Sequence, residues 1–289
     1  MRMNLHFRLM AATLAVALCL FISPAVQAGS VPKGRVGLQL YSLRNQFATN
    51  VPATLAEIKG WGIKNVELAG TYGLTPPEFK TQLDTYGLKA ISAHYGYEQY
   101  RDHLDSIISD ANTLGLKYVG CAWIPHDEPF NEKTCREAIA VFNHAGEVLA
   151  QHGLKFFSHT HGYEFAPFED GTFFDLMMKE TNPKYVSFEM DIFWVAHAGQ
   201  DPTALMAKYG NRFQLMHLKG MKDSTPTGFF NGHSDVSNDL PVGQGKIAFP
   251  PLFAAAHKAG VKWYFIEDES AISEQQIPVS LQYLDTLRW

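Results

Sequence analysis

The chain has 289 residues, of which 46% are hydrophobic, 13% aromatic and 18% charged, an ordinary globular composition that excludes a disordered, collagenous or coiled-coil chain. Its formal net charge of −5 denies it the basic footprint that nucleic-acid phosphates demand. The length suits one α/β barrel domain as well as two average domains.

In chain order, the first signal is at the N-terminus. Arg2 and Arg8 precede an apolar run from Leu9 to Ile22, then Pro24 and a Val26-Gln27-Ala28 end with small residues at the cleavage positions. This is the pattern of a cleavable secretory signal over residues 1–28, and the run is shorter than the roughly 20 residues a bilayer core requires. Cys19 follows bulky Leu18, which argues against lipid attachment. The expectation is a periplasmic or secreted protein with no membrane anchor after cleavage, its 261 remaining residues carrying a charge of −7. Cys121 and Cys135 then remain, too few for a disulfide framework, and read as small buried hydrophobes.

From residue 29 onward, short apolar runs alternate with amphipathic stretches and no long linker intervenes. Strands are expected at Val36–Leu40, Asn65–Leu68, Ala90–Ala93, Tyr118–Cys121, Lys155–Ser158, Val186–Met190, Gln214–Leu218 and Trp263–Ile266. Helices are expected between them, among others at Val51–Trp61, Pro76–Tyr86, Glu98–Leu114, Lys133–Gln151 and Pro250–Ala259, with Gly62, Gly87, Gly115, Gly153 and Gly260 as stops. Eight uninterrupted βα units predict a single closed (β/α)8 TIM barrel over 29–289. The first strand lacks the Gly-x-Gly-x-x-Gly turn of a dinucleotide site, and Val242-Gly243-Gln244-Gly245-Lys246 lacks the hydroxyl and spacing of a phosphate loop and reads as a plain turn.

Active sites of such barrels lie at the C-terminal strand ends. There the sequence offers Gln39, Tyr41 and Arg44; Glu67; His94 and Tyr95; Trp123 and His126; His159 through Glu164; Glu189 and Asp191; His217 and Lys219; and Glu267, Asp268 and Glu269. A single carboxylate at a strand end is usually solvated or capping. Several of them with histidine on consecutive strands would repel one another unless a cation were present. The expected cofactor is one divalent metal ion, Mn²⁺ first, with Mg²⁺, Co²⁺ or Zn²⁺ as alternatives.

The segments Val36 to Arg44, His159 to Phe165, Met190-Asp191, His217-Leu218-Lys219, Val242 to Phe249 and Ile266-Glu267-Asp268, in this order, resemble the sugar phosphate isomerase/epimerase family with its xylose-isomerase-like TIM barrel. The resemblance runs from about Val36 to the end. It implies Glu164, Asp191, His217 and Glu267 as metal ligands, with His159 as the substitute for Glu164. Two positions depart from the family pattern: Thr160 replaces an asparagine, and Gly220 stands where an aspartate often follows the lysine.

A metal on a carbonyl and its neighbouring hydroxyl acidifies the shared carbon. Glu164 and Glu267 are then candidate bases, and His161 or Lys219 candidate acids, each weighed against a backbone-bonded histidine or a lysine merely paired with a carboxylate. Gln39, Tyr41, His94, Trp123, His159 and Trp194 are the expected substrate contacts; Tyr41, Trp123, Phe193 and Trp194 could stack on a sugar ring or simply pack in the core. The long connection from Gly220 to Lys246 is expected to cover the mouth. With only Arg44 and Lys219 as cations near the strand ends, an exported protein of this kind suggests an unphosphorylated sugar or keto-sugar. The expected activity is isomerisation or epimerisation by proton abstraction next to a carbonyl. Elimination or hydration of 3-keto-glycosides at the same metal site, and a non-catalytic carbohydrate-binding barrel, are the alternatives. Oligomeric state is left open, a homo-oligomer included.

Overall fold

The computed structural model describes residues 29–289; the expected export signal at 1–28 lies outside the described residues. Eight parallel strands close into a barrel: β1 (Val36–Gln39), β2 (Asn65–Leu68), β3 (Lys89–Tyr95), β4 (Tyr118–Cys121), β5 (Lys155–His159), β6 (Val186–Asp191), β7 (Phe213–Leu218) and β8 (Trp263–Ile266). Each pairs with its neighbours in sequence, and β8 returns to β1 with Val36 opposite Tyr264. Helices cover the outside, and among the described residues none is long and apolar enough to cross a membrane.

The expected strands are all present, Asn65–Leu68, Tyr118–Cys121 and Trp263–Ile266 with the expected bounds and the other five with shifted ends. β1 stops at Gln39 because the Gln39 side chain accepts the Tyr41 N–H and starts a 3-10 turn over Leu40–Leu43. The helix expected over Glu98–Leu114 is two helices, Tyr97–Asp102 and Leu104–Leu114, broken at His103 where φ is −139°. The break lets Tyr97 and Tyr100 of the first piece and Ile107, Ile108 and Ala111 of the second bury separately. The helix Pro76–Tyr86 follows expectation: Thr75 and Glu78 form a reciprocal cap at its start, and Gly87, at φ 69°, ends it in the left-handed conformation that glycine reaches without strain. The Val242–Lys246 segment is a turn, with Lys246 N–H donating to Met221 O.

Alternation along the strands separates two cores. Outward residues such as Leu38, Val66, Val119, Phe156, Phe188, Met216 and Ile266 pack under the helices. Inward residues Ile91, Tyr118, Phe157, Leu215 and Phe265 form a distinct apolar floor inside the barrel. Both faces of each strand are therefore buried, which is why the strands read as continuous apolar runs. Further along the same inward rows the side chains turn polar: His159 after Phe157, His217 after Leu215 and Glu267 after Phe265. Two register shifts, at Val66/Glu67 against β3 and at Phe188/Glu189 against β7, sit beside two fully buried carboxylates. Such irregularities re-aim side chains next to functional sites.

Cys121 and Cys135 are free and buried, and burial pushes both thiols up to about 12, as expected of inert core residues. Gly120 of β4 faces the floor, where a Cβ would fall inside the Phe157 ring. Gly120→Ala is expected to lower stability by about 1–3 kcal/mol through overpacking. Denaturant unfolding checks this; an unchanged midpoint would mean that the floor can yield.

Candidate metal centre and substrate cavity

Above the apolar floor, four side chains from consecutive strands converge. Nε2 of His159 lies 3.1 Å from Nδ1 of His217 and 3.5 Å from Oδ2 of Asp191. Nδ1 of His217 is 3.7 Å from Asp191 Oδ2 and 3.0 Å from Glu267 Oε2. A tetrahedral ion with bonds near 2.0–2.1 Å separates its ligands by about 3.3 Å, so these spacings fit one small divalent cation.

The environment of each donor supports that fit. Asp191 caps the helix Ile192–His197: its Oδ1 accepts from Phe193 N at 2.8 Å and Trp194 N at 3.1 Å. This leaves buried Oδ2, turned to the cluster, without a hydrogen-bond partner. His217 Nε2 is 2.6 Å from Glu67 Oε1, a carboxylate that fixes the ring and leaves Nδ1 for the centre. Glu67 is itself held by Gln39 Nε2 at 2.8 Å and Ser92 Oγ at 2.5 Å.

A second group, Glu67, His94, Glu189 and His217, lies below. Its 2.6 Å contact has the length of a hydrogen bond and is too short for two ligands of one ion. We read it as the supporting shell of the first. His94 Nε2 spans Glu189 Oε2 at 3.0 Å and Glu67 Oε1 at 3.3 Å.

Charge is shared unevenly. Burial alone would raise Glu67, but His94, His217 and Ser92 bring it down to about 2. Burial and the neighbouring Glu67 push Glu189 far above the carboxylate range, so of the two carboxyls Glu189 is the one that holds a proton. Against burial, Lys219 and His159 hold Asp191 well below its ordinary value, and Lys219 and His217 do the same for Glu267. Burial would lower Lys219, yet Asp191, Glu267 and Glu269 keep it firmly protonated.

The cluster floors a cavity of about 570 Å³ lined by Gln39, Tyr41, His94, Tyr95, Trp123, His159, His161, Trp194, Glu267 and Glu269. All six expected substrate contacts are among them. Trp194 stacks on His161 with centroids 4.6 Å apart, and Trp123 meets the same ring edge-on at 5.0 Å. The long connection does cover the mouth: Gly232, His233 and Ser234 line the cavity, and Gly228 N–H donates to His197 O. Of the other expected groups, His126 stacks beneath Trp123, Arg44 bonds Glu269 O, and Phe193 is buried against His197.

Two expected residues stand elsewhere. Glu164 is not in the converging set; its Oε1 accepts His161 N–H at 2.8 Å within its own loop, and it does not line the cavity. The position expected for it is taken by His159, because the inward row of β5 runs from Phe157 to His159 while Glu164 lies in the following 3-10 turn. Lys219 is 1% exposed and also absent from the lining, bonded to Glu267 and Glu269. Glu67 and Glu189 stood among the strand-end residues without a role, since nothing in a sequence marks a register shift.

Both departures from the family pattern have a local cause. Thr160 Oγ1 accepts Asp191 N–H at 2.9 Å and ties β5 to β6. A Cβ at position 220 would lie 2.5 Å from Pro241 O and 2.7 Å from Gln244 O, so Gly220 lets the covering segment approach β7.

Residues 55–287 match the family described as Xylose isomerase-like TIM barrel. The chain is 24% identical over 250 residues to the inosose dehydratase of Geobacillus kaustophilus, covering 74% of this chain and 79% of that one. It is 23% identical over 279 residues to the inosose dehydratase of Clostridium botulinum, covering 86% and 92%. Among solved structures, a sugar phosphate isomerase/epimerase from Parabacteroides distasonis superposes with a TM-score of 0.72 at 25% identity, over 88% of this chain and 99% of that one.

Two outcomes follow from this geometry. Burial holds Glu164 up at about 7 against 4.5 for the ordinary carboxyl, so its native state keeps a proton that the unfolded chain releases. Stability attributable to this group falls as pH rises from about 4.5 to about 7, a loss of order 3 kcal/mol at ~1.4 kcal/mol per unit. Glu164→Gln keeps an acceptor for His161 N–H, and its Tm should exceed wild type at pH 8 and equal it at pH 4.5; a pH-independent difference would contradict the assignment. Gly232→Ala places a Cβ 2.8 Å from both His161 Nδ1 and the Trp123 ring at φ 67°. It should raise KM about tenfold with little change in Tm, because the strain falls on the covering segment.

Proposed function

The chain belongs to the xylose isomerase-like TIM-barrel family, and from that premise we propose that it is a metal-dependent sugar-converting enzyme that removes a proton next to the carbonyl of an unphosphorylated cyclic keto-sugar or keto-polyol and expels the oxygen on the adjacent carbon. The observation that carries this reading is the convergence of His159, Asp191, His217 and Glu267 at the base of a cavity whose described lining contains no lysine or arginine. A phosphate dianion would lack a clamp there, whereas neutral hydroxyls match the imidazoles, amide and carboxylates. An exported enzyme, as residues 1–28 suggest, would meet sugars in that form.

A divalent ion held by those four residues would supply Lewis acidity toward the substrate's carbonyl and hydroxyl oxygens. The chain's own groups do the rest. Trp123 and Trp194 fix His161 between them and offer apolar faces to the ring. His161 Nδ1 is buried beneath the covering segment, so its other ring nitrogen is the one available to the cavity. Placed there, it can take the α-proton and hand the same proton to the departing oxygen, which balances an elimination within one wall of the site. Gln39 and Glu269 are positioned to bind substrate hydroxyls, and the Gly232–Ser234 segment excludes water.

Elimination is preferred because the curated relatives are inosose dehydratases. Return of the proton to the neighbouring carbon, which gives an isomer, or to the opposite face of the same carbon, which gives an epimer, is the second reading, favoured by the likeness to the Parabacteroides protein. The test begins with metal content of the purified protein beside an Asp191→Asn/His217→Ala double variant. About one ion per chain in wild type and none in the variant is expected; no ion under any loading condition would refute the metal centre. Keto-polyols and 3-keto-glycosides in D₂O then separate the outcomes: deuterium at the α-carbon reports the shared step, and loss of water or aglycone reports elimination. His161→Gln should lower kcat by 10²–10⁴ with the metal retained.

A further inference from the structure

Lys219 is the one lysine that reaches the metal-binding carboxylates among the described residues, and its position is at odds with an ion on the same atoms. Its Nζ lies 2.9 Å from Glu267 Oε2 and 3.4 Å from Asp191 Oδ2, the two oxygens that face the metal position. On its other side it is 2.7 Å from Glu269 Oε1, which is not in the metal set. The ammonium is buried, its Nζ 5.5 and 5.8 Å from the ring centroids of Phe193 and Trp194. An ammonium and a divalent cation that draw on the same oxygens repel each other, and burial leaves little water to screen them.

Glu269 is a fixed anchor for this lysine. Its backbone N–H donates to Asp239 Oδ2 at 2.9 Å and its carbonyl accepts from Arg44 Nη2 at 2.9 Å. Resting on the metal centre described above, we propose that Lys219 is a built-in competitor of the divalent cation: it neutralises Asp191 and Glu267 when no ion is bound, and withdraws toward Glu269 when one is. Metal affinity is thereby set by the division of one ammonium between two groups of carboxylates. Its role toward the substrate is indirect, as a positioning residue.

The two halves of this arrangement predict opposite effects. Lys219→Met keeps the stem and removes the charge, so metal-free protein should bind Zn²⁺ or Mn²⁺ at least tenfold more tightly, measured by competition with a chelating dye. Glu269→Gln removes the lysine's second partner, drives it onto Asp191 and Glu267, and should weaken binding several-fold. Metal-free Lys219→Met should also melt below metal-free wild type and recover when the ion is added. Equal affinities in all three proteins, or weaker binding in Lys219→Met, would overturn the proposal. If Lys219→Met folds only with metal, its release of the ion into excess chelator should be slower than wild type, and equal or faster release would overturn it. A wild-type protein that binds neither ion would refute the metal centre itself, an outcome separate from unchanged affinities among proteins that do bind.

Discussion

The mouth of this barrel is organised around a problem of charge. Glu67 and Glu189 in one group, and Asp191 and Glu267 in another that shares His217 with it, are all buried, and burying a carboxylate without compensation is among the costliest arrangements a protein can hold. The observed structure distributes that cost among a proton on Glu189, the imidazoles of His94, His159 and His217, and the ammonium of Lys219. A divalent ion would add positive charge where Asp191 Oδ2 has no hydrogen-bond partner.

The rest of the site follows from keeping those groups in place. Asp191 is locked by capping the helix that follows β6, so one oxygen is spent on the backbone and the other is left for the centre. His217 is turned by Glu67, and Glu67 by Gln39 and Ser92, a chain of contacts running across β7, β2, β1 and β3. The apolar floor of Ile91, Tyr118, Phe157, Leu215 and Phe265 closes the barrel below and keeps water from reaching the cluster from that side. Above it, aromatic rings hold His161, and a glycine-bearing segment closes over them.

This layering explains how a fold shared by many activities becomes specific. The strands deliver the converging cluster of His159, Asp191, His217 and Glu267 and the residues that support it, which belong to the scaffold. The loops deliver Trp123, His161, Trp194 and the Gly232–Ser234 segment, which shape what can enter. The described lining contains no lysine or arginine, so the cavity lacks the cationic clamp that a phosphate dianion would need.

Much of this was legible before any coordinates. Eight apolar runs with glycine-stopped helices between them could bury their surface only as a closed barrel, and the C-terminal ends of those runs carried nearly every group that now surrounds the cavity. Asp191, His217 and Glu267 were readable as strand-end residues because each lies at or next to the end of a strand, where period-two alternation already dictates an inward side chain. Which of His159 and Glu164 joins the cluster was not readable, because they lie five residues apart across a strand end and a 3-10 turn, and only the turn's geometry sends the Glu164 carboxylate to the His161 N–H of its own loop. Glu67 and Glu189 owe their roles to two register shifts that have no sequence mark. Lys219 follows the inward row of β7, yet whether it faced substrate or carboxylates depended on how close β6 and β8 approach it. Local periodicity thus determined the barrel and the ring of groups at its mouth; distances between strands far apart in sequence decided which of those groups meet.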